Sequence, residues 1–291
     1  MNPKVKIIIS MLAFGTVGLF IKSIELNSAE IALYRAVIAS AVIFGYIILA
    51  KKEINYANLK KQAPKLFISG AAIGFNWIFL FEAYRYTSIA LATLCYYFAP
   101  VIVIFMSGLI YKEKLTFKQI ICFIGATTGV LFIIGSVEEG SASTIGVIFG
   151  LGAACLYAFV VLMNKSIRNI GGEEQTLMQF VSASVVLAPY VMVNSGFNIA
   201  GLSATGLINV AVLGVVHTGI MYVMYFSSMY ALSGQALSML SYIDPLSAVM
   251  ISLLILNEPV TLYQLAGGAC ILLFTLANEI SFNKLKIKKS I

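Results

Sequence analysis

The chain has 291 residues, of which 60% are hydrophobic and 11% charged, with a net charge of +7 and a mean hydropathy of +0.95. Soluble domains carry roughly 25% charged residues, so this chain lacks the polar surface that water demands and must use lipid as its solvent. Its basic residues sit in short connecting segments rather than along one face, which argues against nucleic acid as a partner and for a membrane-topology signal.

A spanning helix needs ~20 apolar residues. In chain order, ten such runs can be marked: 5–22, 29–50, 64–84, 88–110, 117–135, 143–163, 174–194, 205–229, 233–256 and 260–280. The first follows Lys4 and Lys6 and resembles a signal peptide. It ends, however, on Lys22-Ser-Ile, which matches Lys165-Ser-Ile at the end of the sixth run, so it belongs to the body of the protein. No connection is long enough to form a soluble domain. The four cysteines (Cys95, Cys122, Cys155, Cys270) lie inside apolar runs, where they read as small buried hydrophobes without disulfide or metal spacing.

With the N-terminus in the cytoplasm, sixteen Lys and Arg fall in cytoplasmic segments, including Lys112, Lys114 and the basic tail 281–291, while Lys22 and Arg85 fall outside and Arg35 lies within a span. The bias predicts an even number of spans and two cytoplasmic termini in a multi-pass protein of the cytoplasmic membrane.

One part of the sequence is written twice. Ser88 to Pro100 and Ser233 to Pro245 align without a gap at an offset of 145. In the same register Tyr97 falls on Tyr242, Glu113 on Glu258, Thr116 on Thr261, Gln119 on Gln264, and Gly74 on Gly219. The chain therefore divides into a first repeat over 1–135 and a second over 143–280. Five spans per repeat is an odd number, so the second copy enters the membrane upside down. Inverted repeats of this kind are typical of secondary transporters, with substrate bound near the midplane between the halves.

Thr93, Tyr97 and Pro100 share one helical face, as do Ser238, Tyr242 and Pro245. Each proline removes a backbone hydrogen bond near mid-span and kinks its helix. Such freed groups are tolerated in a membrane only inside protein or beside a wet cavity. The pair then reads as hinges in a cavity wall, or alternatively as kinks that serve packing. Asp244, the only aspartate in the chain, lies mid-span, where it needs a partner, a proton or water. It can bind a substrate ammonium, carry a coupled proton, or serve as a local hydrogen-bonding group. Arg35 is a carboxylate clamp, a partner for Asp244 or Glu82, or a snorkelling interfacial cation. Asn76 and His217 fall on faces related by the repeat and point to a shared cavity. His217, the sole histidine, can also titrate, or simply satisfy a neighbouring helix. Trp77 pairs with Tyr222 across the repeat, and Tyr157 with Phe14; each aromatic can stack on a substrate or pack in the core. Thr116 with Gln119 and Thr261 with Gln264 are capping boxes, with Glu113 and Glu258 upstream favouring the positive helix ends. Gly125, Gly129, Gly267 and Gly268 offer close-packing faces, one of which is available to a homodimer.

An enzyme fits poorly. One aspartate excludes a two-aspartate intramembrane protease, the lone histidine has no carboxylate at zinc spacing, and no nucleophile elbow or phosphate-binding glycine loop occurs. No cofactor is expected, and any driving force must be an ion or substrate gradient.

The two blocks in which Pro is followed thirteen residues on by Glu, and then by a Thr-x-x-Gln cap, resemble the EamA-type permeases of the drug/metabolite transporter superfamily. Leu94-Cys-Tyr-Tyr-Phe-Ala-Pro100 and Asn257-Glu-Pro-Val-Thr261 carry the likeness. The resemblance implies an all-α membrane protein of ten helices. Helices 1–4 and 6–9 would surround a central cavity, with helices 5 and 10 outside as scaffold. It also implies transport of small metabolites, often amino-acid export. The expectation is a secondary transporter of an amino acid or similar zwitterion that works by alternating access. Candidate substrate contacts are Arg35, Asn76, Trp77, Tyr97, Tyr157, His217, Tyr242 and Asp244, and the candidate hinges are Pro100 and Pro245. Uptake of a nutrient or adenosyl metabolite and a channel-like facilitator are the alternatives.

Overall fold

The computed structural model describes residues 1–52, 54–111, 115–137, 141–229 and 231–286, apart from the side chains of residues 142, 234, 235, 238 and 280–286. Lys112, Glu113, Lys114 and the end of the basic tail therefore lie outside the described residues, as does the side chain of Ser238.

The described chain is helical, with no strand. In the first half the helices are α1 (Pro3–Lys22), α2 (Ser28–Leu49), α3 (Tyr56–Tyr86), α4 (Ile89–Tyr96), α5 (Ala99–Tyr111) and α6 (Phe117–Gly135). The second half holds α7 (Ala142–Lys165), α8 (Gly172–Asn194), α9 (Ala204–Ala211), a π-helical segment (Val212–Ile220), α10 (Met221–Met229), α11 (Gly234–Ser241), α12 (Ile243–Leu254) and α13 (Leu262–Lys286). Eight stretches among the described residues are long and apolar enough to cross a membrane, counting α4 with α5 and α9 through α10 as single stretches. The ninth predicted run falls on α11 and α12, whose apolar part Met239–Leu254 is shorter. The tenth falls on α13.

The helix starts follow from sequence. Ser88 and Ser233, equivalent in the repeat, cap α4 and α11 by accepting from Leu91 N at 3.1 Å and Ala236 N at 3.3 Å. Thr116 and Gln119 close a reciprocal capping box on α6, and Thr261 and Gln264 make the same exchange at the start of α13. Glu258 does something different from favouring the helix that follows it. Its carboxylate pairs with Lys22 of α1, accepts from Ile89 N at the start of α4 at 2.8 Å, and accepts from Ser252 Oγ of α12 at 2.5 Å. One side chain thus ties three helices at one end of the bundle.

The helices of one half pack mainly on those of the other. α3 lies against α7 and α8, α2 against α8 and the π segment, α1 against α10 and α12, and α4 against α7 and α12. The main core is built from fully buried Ile31, Ile43, Phe81, Phe180 and Leu187. α6 and α13 form a separate pair, and Ile120, Ile124 and Leu131 of α6 are exposed in a way only lipid tolerates. Cys95 and Cys122 are buried as expected, whereas Cys155 is exposed on α7.

The glycines explain how closely helices meet. A Cβ on Gly129 would lie 2.5 Å from the Gly267 carbonyl, and one on Gly267 would lie 2.5 Å from the Gly129 carbonyl. Gly125 faces Phe274 and Gly268 faces Leu94, so all four glycines are occupied within one chain and none is left for a second copy. Gly129→Ala is expected to lower thermal stability in detergent by about 1–3 kcal/mol through overpacking. Gly45→Ala, with nothing within 4 Å of the added Cβ, should leave it unchanged or slightly raised, and unfolding curves of the two variants check the contrast.

Candidate functional site

Helices from both halves line a cavity of about 380 Å³. Both broken helices meet there. α4 stops at Tyr96 and α5 begins at Ala99, while α11 stops at Ser241 and α12 begins at Ile243. The joints fall just before Pro100 and Pro245. Their backbone angles match across the repeat, with φ −70° and ψ 2° at Tyr97 and φ −73° and ψ −9° at Tyr242. Proline at 245 leaves the carbonyl of Ser241 without its helical donor. Tyr97 from the other half comes to that place: its Oη donates to Asp244 Oδ2 at 2.7 Å, with the Ser241 carbonyl 3.4 Å away. Asp244 sits in the first turn of α12, where the positive end of the helix favours an anion. Gly15 brings α1 close to this joint, since a Cβ there would lie 2.7 Å from the Asp244 carbonyl.

Arg35 supplies the opposite charge. It is 5% exposed and lies on the cavity wall. Its Nε donates to Thr218 Oγ1 at 2.5 Å, and its guanidinium carbon lies 4.3 Å from the centroid of the Trp77 ring, a cation–π arrangement. Thr218 can accept because its own hydroxyl donates to the Leu213 carbonyl at 2.8 Å, five residues back in the π segment. No carboxylate pairs with Arg35: the ion pairs among the described residues are Lys22–Glu258 and Lys52–Glu173. The partner foreseen in Asp244 or Glu82 is absent, and a guanidinium keeps its proton inside a protein.

Four register pairs meet on this wall: Tyr97 with Tyr242, Trp77 with Tyr222, Phe14 with Tyr157, and Arg35 with Gln179. Gln179 donates across the boundary between halves to Ser69 Oγ at 2.5 Å, and within its own half to Asn164 Oδ1 at 2.7 Å; Arg35 likewise donates across the boundary to Thr218. Asn76 and Pro100 also line the cavity, and the Asn76 amide donates to the Ala153 carbonyl at 2.7 Å. Tyr157 is 41% exposed and Asp244 is partly exposed, both on the cavity wall.

His217 and Pro245 are not on the wall. His217 is 4% exposed, its Nε2 lies 2.7 Å from Thr16 Oγ1, and its ring packs edge-on to Phe20 at 4.8 Å. The face-sharing argument that paired it with Asn76 assumes an α-helix, but residues 212–220 form a π-helix, whose extra residue per turn rotates the side chain away. Met221, the register partner of Asn76, is likewise buried rather than cavity-lining. Several wall residues were missed by the sequence reading. Tyr84 and Tyr96 carried no distinguishing pattern, and Glu279 lies on α13, the helix expected to stay outside as scaffold. That expectation is corrected here: α13 reaches the cavity through Glu279.

Comparison with known proteins agrees with this architecture. The profile of the EamA-like transporter family matches residues 5–135 and again 144–278. The uncharacterized transporter YxxF of Bacillus subtilis (strain 168) is 31% identical over 268 residues, covering 90% of this chain and 85% of that protein. An uncharacterized transporter of Archaeoglobus fulgidus is 27% identical over 270 residues, covering 91% of this chain and 92% of the other. Solute carrier family 35 member G1 of Mus musculus is 26% identical over 176 residues, or 56% of this chain and 47% of the mouse protein. A solved crystal structure superposes with a TM-score of 0.64 over 94% of this chain and 96% of its own, at 13% identity, which speaks to fold alone. With two copies of the family profile spanning its repeats, the chain is a multi-pass membrane protein that belongs to the EamA-like transporter family, whose members are transporters of the drug/metabolite superfamily.

Proposed function

We propose that the protein is a secondary transporter of a small zwitterionic metabolite, an amino acid or close relative, moved across the cytoplasmic membrane by alternating access. The observation that carries the reading is a buried guanidinium without a carboxylate partner, sharing a cavity with the chain's only aspartate. Two opposite charges on one wall that do not neutralise each other leave both for a ligand. A substrate carboxylate would complete Arg35, with Trp77 holding the guanidinium plane from behind. A substrate ammonium would share Asp244 with Tyr97. Aromatic side chains cover much of the remaining wall and exclude water from the bound molecule, which strengthens both contacts.

In this reading ten helices span the bilayer, with Met239–Leu254 extended by α11 as the ninth and α13 as the tenth. Both termini are cytoplasmic, and the halves are inverted. The joints before Pro100 and Pro245 are the hinges about which the halves rock. Export is the direction favoured by the family resemblance, and Asp244 is the group placed to couple a proton.

Two measurements test this. Cysteines placed singly at positions 113 and 258, in a background without the native cysteines, should react with impermeant maleimide from opposite sides of the membrane. Labelling from the same side would remove the inversion, and the carrier assignment with it. In proteoliposomes, amino-acid flux should saturate and show counterflow, and Asp244→Asn or Arg35→Gln should each reduce it by about 100-fold or more, as expected for loss of a buried charged contact. Wild-type flux in Asp244→Asn would make the aspartate structural. Flux indifferent to an imposed pH gradient would exclude proton coupling, and non-saturating flux would indicate a facilitator.

A further inference from the structure

We infer that Tyr84 is a gate on the transport path, latched shut by Lys22 and Glu258, and that a second pocket beyond it is the vestibule a substrate crosses. The inference rests on the alternating-access reading above but on no particular substrate. The second pocket, of about 500 Å³, is lined by Lys22, Glu25, Leu26, Tyr84 and Arg85 among others. Among the described residues, Tyr84 alone lines both this pocket and the central cavity. A single side chain, 6% exposed, is the partition between them.

The partition stands at one end of the cavity. Trp77, Leu80 and Tyr84 follow one another along one face of α3, and all three line the wall. In the other direction the wall reaches Asn164, near the end of α7, whose Oδ1 accepts from Ser69 Oγ of α3 at 3.0 Å. From Ser69 to Tyr84 the helix α3 rises about 22 Å. Two ties hold the plug in place. Its hydroxyl lies 3.4 Å from Thr93 Oγ1 of α4, and one turn back on α4 the Ile89 N–H donates to Glu258 at 2.8 Å. On the α3 side, Lys22 Nζ donates to the carbonyl of Thr87, the residue that ends α3, at 3.3 Å, and pairs with the same Glu258 carboxylate. Arg85, next to Tyr84, donates to the Leu26 carbonyl between α1 and α2. The Lys22–Glu258 pair thus clamps the end of α3 that carries the plug to the start of α4 that carries its partner.

The fastening suits a gate better than a permanent seal. The side chains of Lys22 and Glu258 keep 31% and 11% of their exposure, and an ion pair in contact with water is worth little by itself, so it can break and re-form in each cycle. The bond of the plug to Thr93 is long for two hydroxyls. Turning one tyrosine between staggered rotamers joins the two spaces without unpacking a helix. A phenol also fits both positions, since its ring closes against an apolar wall and its hydroxyl is at home in water.

The test is labelling of single cysteines by a charged, impermeant methanethiosulfonate in sealed vesicles of both orientations, in a background without the native cysteines. Glu25→Cys, exposed in the second pocket, identifies the Lys22 side and should react from that side alone. Leu80→Cys lies on the cavity wall one turn from the plug and is 8% exposed. It should react from the Lys22 side about tenfold or more slowly than from the opposite side, as a gate closed most of the time dictates. Tyr84→Ala should abolish that difference, and Tyr84→Phe, which keeps the ring, should reduce it less. Glu258→Ala, which removes the ion pair and the hydrogen bonds to Ile89 and Ser252, should reduce it severalfold by raising the open population. Equal rates from the two sides with Tyr84 in place would overturn the inference, as would a difference that survives Tyr84→Ala in protein that elutes as a single peak. Should Tyr84→Ala fail to fold, Glu258→Ala decides: an unaltered difference there overturns the latch and the gate with it. No substrate takes part in the labelling, so the expected rates together with absent amino-acid flux would remove the zwitterion and leave the gate.

Discussion

An arginine held inside the bundle without a counter-carboxylate is the constraint on which the site depends. In lipid, every polar group must find its partner within the protein, and a cation is the most demanding of these. The structure meets the demand in part. Thr218 takes one donor, the Trp77 face takes the guanidinium plane, and the rest of the charge looks into the cavity. The surrounding elements are shaped accordingly. The π segment turns Thr218 toward α2, and Gly214 and Gly219 let that helix approach: a Cβ on either would lie 2.6 Å from Ile38 or Val42. Had Asp244 closed on Arg35, the pair would have roughly offset its own desolvation and left nothing for a ligand. Their separation is what makes the cavity a polar site rather than a packed core.

Much of this was legible in the sequence because the duplication doubles every signal. Tyr97 and Tyr242 could be placed on one wall before any coordinates, since each sits at the same spacing from a proline and a serine cap. Trp77, Tyr157 and Arg35 also have register partners, but the sequence left each with a packing or interfacial alternative, and only the coordinates bring them to the cavity wall. The failures came where a local event has no counterpart in the repeat. His217 moved off the cavity because a π-helix replaces α-helix over nine residues, and nothing in Val212–Ile220 announces that change. Glu279 was overlooked because a carboxylate near a helix end reads as an interfacial charge, and the packing of α13 against α11 is a tertiary fact. Glu258 was assigned to the start of the helix that follows it in sequence, whereas its carboxylate serves the N-terminus of α4.

The two ends of the bundle are built from repeat-related parts. At one end Lys22, Ser252 and Glu258 join α1, α4 and α12. At the other, Lys165 Nζ lies 3.0 Å from Ser107 Oγ, and these two are the register partners of Lys22 and Ser252. Lys22 and Lys165, which end the matched helices α1 and α7, thus each reach a side chain of the opposite copy. Each network draws together helices from both copies, so the helices that wall the site are also the ones fastened at its mouths.

The hydrogen bond from Tyr97 to Asp244 joins a residue at one broken helix to a residue at the other. A carboxylate that gains a second donor gives less to the first, so a substrate ammonium at Asp244, if the proposed reading holds, would loosen the phenol that staples the two joints. On the proposed reading, cargo and fastener would draw on the same carboxylate, and the stiffness of the two elbows would follow what the chamber holds.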